Sequence, residues 1–257
     1  MAYKHLIYSE ENRVGTVSFN QPDKRNALSL ELLEELTALL EDIGQEGTVK
    51  AVIIRGRGKH FCSGHDLGEV GTWQPQEVRS LFRACYRTMR AIRKIPQPVV
   101  AQVHGVATAA GCQLAAACDL VVASQEARFG TPGVKIGLFC TTPAVFLSRS
   151  VGRKKALEML FTGELISAEE ARLHGLVNRV APEEELDQTA RELAERIAGF
   201  SLHVLGLGKN AFYRQINRED FQALDYATEV ISLNSTSRDA SEGMSAFLEK
   251  REPKWRD

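Results

Sequence analysis

The chain has 257 residues, 44% hydrophobic and 25% charged, with a formal net charge of −1. That length supports one large domain or two small ones, and the composition is ordinary for a globular protein. The near-zero charge excludes the broad basic field of a nucleic-acid binder, and no run approaches the ~20 apolar residues that span a bilayer.

The opening residues predict a hairpin over 5–19. Leu6-Ile7-Tyr8 forms one strand, Glu11-Asn12-Arg13 the turn, and residues 14–19 an alternating second strand. This start lacks the apolar centre of a signal peptide and the basic make-up of a transit peptide. The expected setting is the bacterial cytoplasm, or the mitochondrial matrix for a processed form. Asn20-Gln21-Pro22-Asp23 is a turn cluster. Ser29 then caps a helix whose Leu32, Leu33, Leu36, Leu39, Leu40 and Ile43 recur at helical spacing, with Gly44 and Gly47 ending it. Residues 50–55 predict a buried strand, and residues 56–71 a glycine-rich loop. Pro75 opens a long amphipathic helix that stops before Pro96.

Residues 98–120 then carry a β-branched run, a break at His104-Gly105, and a stretch that is almost bare backbone from Ala107 to Ala117. Another short strand covers 120–123, and residues 128–133 predict a loop. Ser167-Ala168-Glu169-Glu170 is a capping box for a helix ending near His174-Gly175, and residues 176–180 predict a last strand. Beyond Pro182 the pattern is helical, with apolar faces broad enough to pack against other subunits. The fold class is therefore α/β with a helical C-terminal region.

Several stretches could carry chemistry. The bare helix start near Ala110 leaves N–H groups without side chains over them. It reads equally as an oxyanion site or as tight helix packing. The loop at 55–68 holds Arg55, Arg57 and Lys59 among glycines. It is either a phosphate contact or a solvated basic loop, and it is not a P-loop. His60, His65 and Asp66 match no metal-ligand spacing. Ser63, His65 and Asp66 lie too close in sequence for a hydrolase triad. The five cysteines, Cys62, Cys85, Cys112, Cys118 and Cys140, form no CxxC pair and read as small buried hydrophobes. Asp66, following a glycine turn, suits a helix cap.

Six motifs in order resemble the crotonase superfamily, the enoyl-CoA hydratase/isomerase family, over essentially the whole chain. Asn20 through Leu28 resembles the family's Asn-Pro…Asn-Ala-Leu element, and Phe61-Cys62-Ser63-Gly64-His65-Asp66-Leu67 its Phe-x-Ala-Gly-x-Asp-Leu loop. His104-Gly105 through Gly111-Cys112 to Cys118-Asp119 resembles its glycine-rich helix start. Phe129-Gly130-Thr131-Pro132, Ala171 with His174-Gly175-Leu176-Val177, and residues 247–255 match three further elements.

The resemblance implies a crotonase-like ββα spiral at 1–195 and a helical trimerisation region at 196–257, assembled as a homotrimer or a dimer of trimers. It implies an acyl-CoA substrate, with coenzyme A part of that substrate and no separate cofactor, metal, nucleic acid or membrane partner. The backbone N–H groups of His65 and Ala110 would form the oxyanion hole. Lys24, Arg25 and Lys59 would meet the CoA phosphates and adenine end, and Lys250 and Lys254 would help from a neighbouring subunit. Ser63, Gly64, Gly111, Gly133 and Cys140 would line the substrate.

Two departures matter. The family's hydratases use two glutamates, and these positions hold Gln113 and Gly133 here. Gln113 keeps the shape of a glutamate but cannot take a proton, so it would orient water or substrate. Losing a positioned acid or base costs about 100- to 10,000-fold. Gly64-His65-Asp66 also resembles the loop of the family's decarboxylases. Decarboxylation, thioester hydrolysis and non-catalytic acyl-CoA binding all stay open alongside hydration and isomerisation. The combination of residues 64–67, 107–114 and 137–140 is similar to one subgroup of the family.

Overall fold

The computed structural model describes residues 3–256. β1 (Leu6–Glu11) and β2 (Val14–Phe19) form the hairpin. Its two-residue turn, Asn12-Arg13, has φ of 50° and 64°, the conformation whose twist matches the flanking strands. β2 starts a parallel array with β3 (Ala51–Gly56), β4 (Val99–Val103), β6 (Leu120–Ser124) and β9 (Arg179–Ala181), giving a six-stranded sheet in the order β1-β2-β3-β4-β6-β9. A second sheet joins β5 (Val106–Thr108), β7 (Arg128–Gly130) and β8 (Leu165–Ser167).

Each turn of the spiral runs from a long strand through a short one into helix. β4 passes through β5 into α4 (Ala110–Ala117). The sharp step between the two strands is at Gly105, φ 56°, where a Cβ would stand 2.0 Å from Lys59 O. Only glycine fits there.

Between the parallel strands lie the crossover helices α1 (Leu30–Glu46) and α3 (Pro75–Lys94), with the six-residue α2 (Leu67–Thr72) before α3. α1 buries the six apolar residues its spacing predicts, and Ser29 Oγ accepts from Leu32 N at its start. These helices and the inner face of the large sheet form the main core. Its outer face is covered by α8 (Leu186–Ala198), whose Leu186, Ala190, Ala194 and Ala198 recur every four residues. They pack on Val14, Ile53, Val100 and Val122. Between β7 and α8 come α5 (Thr141–Ser150), α6 (Arg153–Thr162) and α7 (Ala168–Leu173). α9 (Leu202–Gln215), α10 (Asp220–Ser235) and α11 (Arg238–Glu249) end the chain.

Several local expectations need correction. Gly44 does not end α1, which runs on to Gly47; a Cβ on Gly44 would lie 2.8 Å from Ile95 Cγ2, so its glycine serves close packing. The loop expected at 56–71 stops at Asp66, which caps α2, and α2 begins at Leu67. Residues 128–133 hold β7 and the start of a 3₁₀ turn at Pro132–Ile136. The last strand is Arg179–Ala181, while Leu176 and Val177 turn into the core. β5, β7 and β8 have three residues each, too few to show a period.

Candidate active site

The chain leaving β3 becomes an unlabelled strand of the small sheet. Cys62 N donates to Val106 O (3.1 Å) and Thr108 N to Cys62 O (3.0 Å), so this segment lies beside β5. On its other edge Leu28 N donates to Gly64 O (2.7 Å), and Asp66 N donates to Leu28 O (3.2 Å). N–H groups alternate along an extended chain. Bonding by the residues on either side of His65 therefore turns its own N–H away from Leu28. No backbone acceptor among the described residues takes that N–H.

α4 begins against the same segment. A Cβ on Gly64 would sit 3.4 Å from Ala110 N, and one on Gly111 would sit 2.2 Å from Cys62 O, so both glycines allow backbone to press on backbone. Ala109, the residue before α4, donates to Gly130 O (2.9 Å) and has φ 50° and ψ −117°. That is a conformation glycine adopts without cost, and an alanine held there stores about 1–3 kcal/mol. It turns the first helical N–H groups outward. Gln113 N closes the first helical bond to Ala109 O, and Ala110 N–H has no backbone acceptor among the described residues.

His65 and Ala110 line one cavity of about 360 Å³. Its walls are mostly apolar: Leu67 and Val70 of α2, Phe82 of α3, and Ile136, Leu138 and Phe139 before α5. Sequence patterning missed this wall. Its one signal was apolar residues standing off the buried stripe, such as Phe82 and Leu67, 37% and 56% exposed. Ser63, Gly133 and Cys140 also line the cavity, together with Lys135, Thr141 and Thr142.

The His65 ring meets Phe82 edge-on at 4.8 Å, and its buried Nε2 has no hydrogen-bond partner. Burial pushes its pKa down to about 4, so the imidazole is neutral at pH 7. The unfolded chain takes up this proton near pH 6.5 and the folded chain only near 4. Stability present above pH 6.5 is thus lost as pH falls towards 4, by at most about 3 kcal/mol. His65→Gln is expected to flatten thermal stability over that window. A variant retaining the wild-type slope would assign the acid sensitivity elsewhere.

Asp66 does not face His65. Its Oδ1 accepts Gly68 N at the start of α2 (2.9 Å), and Lys24 Nζ reaches Oδ2 (3.1 Å), so it is a cap and no Ser-His-Asp relay forms. Burial opposes ionisation of Asp66, but Lys24 and the N–H groups of Gly68 and Glu69 hold its pKa below the ordinary value. Arg25 and Lys59, with His104, lie close enough to His60 that their charges add to burial in lowering its pKa. Arg25 and His104 lie beside the loop that carries Lys59, their carbonyls accepting from Ser63 N (3.1 Å) and Phe61 N (3.0 Å). Lys250 and Lys254 line no part of the cavity within one chain; Lys250 ends α11, and Lys254 N donates to Glu242 Oε1 (2.7 Å).

Gln113 is 3% exposed, and its Oε1 has no partner. It sits one turn along α4 from Ala110, on the same helix face. Gly133 is closed to any side chain: a Cβ there would lie 2.4 Å from Leu138 O and 2.8 Å from Cys140 Sγ. No Asp or Glu side chain among the described residues lines the cavity. Among the described residues no three His, Cys, Asp or Glu side chains converge to hold a metal. No described helix is long and apolar enough to cross a membrane.

Residues 9–257 match the family described as enoyl-CoA hydratase/isomerase. The rat enoyl-CoA hydratase domain-containing protein 3, a mitochondrial protein, is 45% identical over 247 residues, covering 96% of this chain and 82% of its own. The crystal structure of the human protein of that name superposes with a TM-score of 0.95 at 43% identity, covering 98% of this chain and 100% of its own. A Mycobacterium smegmatis enoyl-CoA hydratase structure also gives 0.95 at 43% identity, covering 98% of both chains. The subgroup resemblance of residues 64–67, 107–114 and 137–140 is to the first of these relatives.

Proposed function

Because this chain belongs to the enoyl-CoA hydratase/isomerase family, we propose that it binds an acyl-CoA thioester and stabilises the enolate formed from it. The thioester oxygen lies between the N–H groups of His65 and Ala110. Fixed donors aimed at that oxygen act most strongly where charge develops on it. The acyl chain occupies the apolar wall of Leu67, Val70, Phe82, Ile136 and Phe139, and Lys24, Arg25 and Lys59 meet the CoA phosphates and adenine end. Two unpaired backbone donors facing one apolar cavity support this role above all else.

The chemistry is not two-carboxylate hydration, because Gln113 and Gly133 supply neither a base nor an acid. It uses a step that generates the enolate without them, such as decarboxylation, or a thioester hydrolysis. A non-catalytic acyl-CoA binder is the second reading, favoured by the same absence of a carboxylate. Incubation with enoyl-, malonyl-type and saturated acyl-CoAs, followed by mass spectrometry, separates the two. Calorimetric titration tests the shared premise. Saturable binding of a short or medium acyl-CoA supports it, and no binding at high micromolar concentration overturns it.

Gln113→Glu is expected to leave hydration slow, since Leu138 and Cys140 still fill the second acid position. Robust hydratase activity in that variant would defeat the two-carboxylate account. Phe221, Leu224, Ile231, Phe247 and Leu248 on the C-terminal helices are exposed in the single chain. They support assembly of residues 196–257 as a homotrimer or a dimer of trimers. A bacterial cytoplasmic or mitochondrial matrix location accompanies this proposal.

A further inference from the structure

The cavity has two free oxyanion donors but, among the described residues, no carboxylate to move a proton to the carbon beside the thioester. Its proton-carrying side chains narrow quickly. Ser63, Thr141 and Thr142 hydroxyls are too weakly acidic to give up a proton, and burial leaves His65 without an acidic proton at pH 7 and a weak base, its pKa about 4. Lys135 lays its Cε 3.1 Å from the position of a Cβ on Gly163, a residue that does not line the cavity. Cys140 remains. Its sulfur stands 2.8 Å from where a side chain on Gly133 would begin, so it occupies the space of the missing second carboxylate.

Two features support the thiolate form of this sulfur, and burial opposes it. Cys140 is the residue before α5, a ten-residue helix whose N-terminus favours negative charge. The Gly133 backbone N–H, close to Sγ, also supports the thiolate form. Burial nevertheless pushes the thiol above its ordinary pKa, so it carries its proton at neutral pH. Gln113, one turn along α4 from Ala110, buries an unpartnered Oε1 behind the cavity wall and is not itself one of the lining residues.

We propose that the Cys140 thiol is the catalytic acid–base of this site, carrying the proton to and from the α-carbon of the bound acyl thioester. The step balances. The enolate's carbon–carbon π pair takes the S–H proton, a C–H bond forms, and the thioester carbonyl is restored. Sulfur keeps the electron pair of the broken S–H bond as thiolate and is reprotonated from water. In reverse, the thiolate removes the α-proton while His65 and Ala110 N–H groups hold the oxyanion. This rests on the acyl-CoA reading above.

The test is deuterium uptake at the α-carbon of a saturated acyl-CoA in D₂O, followed by mass spectrometry beside calorimetric binding. The wild-type protein is expected to exchange the α-hydrogens, at a rate rising with pH as the thiolate forms. Cys140→Ala and the near-isosteric Cys140→Ser lower exchange about 100-fold or more, with affinity falling far less than exchange. Cys140→Asp restores part of the rate with its pH profile moved towards the carboxylate range, a shift that a merely structural cysteine would not produce. Wild-type exchange in Cys140→Ala, or a wild type that binds acyl-CoA without exchanging, overturns the role of Cys140 and leaves the binding proposal standing. A wild type that binds no acyl-CoA overturns both.

Discussion

Ala110→Pro is expected to lower the rate of whichever acyl-CoA conversion the product screen detects by about 100- to 1,000-fold, the usual effect of removing one oxyanion donor. Ala110 is the first residue of α4, a position proline accepts because its missing N–H serves no helical bond. Proline disfavours the α conformation in the residue before it, and Ala109 is already outside that region. The substitution deletes one N–H but adds a ring at a buried position, so folding is checked alongside. Circular dichroism should match the wild type, and acyl-CoA affinity should fall far less than turnover, since the CoA and acyl contacts stay. Unchanged turnover in a folded Ala110→Pro protein would remove this N–H from the mechanism.

Asp119→Ala is expected to lower the unfolding free energy by about 3–5 kcal/mol, the cost of leaving a buried partner charge unpaired. Asp119 follows α4 and joins three elements. Its Oδ2 accepts from Val99 N and Lys209 Nζ, both at 2.7 Å, and its Oδ1 from Tyr213 OH at 2.8 Å. The Lys209 side chain is 6% exposed, and its ammonium also donates to Ile92 O and Gln97 O. Burial lowers its pKa even though Asp119 opposes that shift. Arg93 completes the joint, lying 4.4 Å from both the Phe146 and Tyr213 ring centres. The cluster ties α9, and through it the C-terminal helices, to the spiral. Urea denaturation of Asp119→Ala measures the loss. Adding Lys209→Met should recover part of it, because an apolar replacement removes the stranded charge. A loss below 1 kcal/mol in the single variant would show that the lysine finds adequate partners in the carbonyls alone.

Much of the spiral was legible because its signals are local. α1 and α3 announce themselves through a 3.6-residue apolar period, and the hairpin through its alternation. Ser29, Asp66 and Ser167 cap the helices they precede. The bare stretch around Ala110 marked a helix start without side chains, and the six ordered motifs tied it to a family. The short strands were not legible. Three residues carry no period, and β5, β7 and β8 exist because each finds a neighbour distant in sequence. Gly47 does end α1, but the stop at Gly44 and the bounds of β9 were misplaced for a related reason: Gly44 packs on Ile95, and Leu176 and Val177 are drawn into the core.

The same division holds for the site. By itself the sequence determined the residue types: no carboxylate at 113 or 133, a basic loop, and small residues wherever backbone must approach backbone. Tertiary structure alone decided which N–H groups remain unpaired. His65 is free because Leu28 takes the bonds on either side of it, and Ala110 because Ala109 turns the chain into α4. Tertiary structure also closed the space at Gly133 with Leu138 and Cys140, and brought that sulfur into the cavity. The physical reason is range. A cap or a period acts between residues a few positions apart, whereas a free donor or a filled vacancy depends on segments that meet only when the chain has folded.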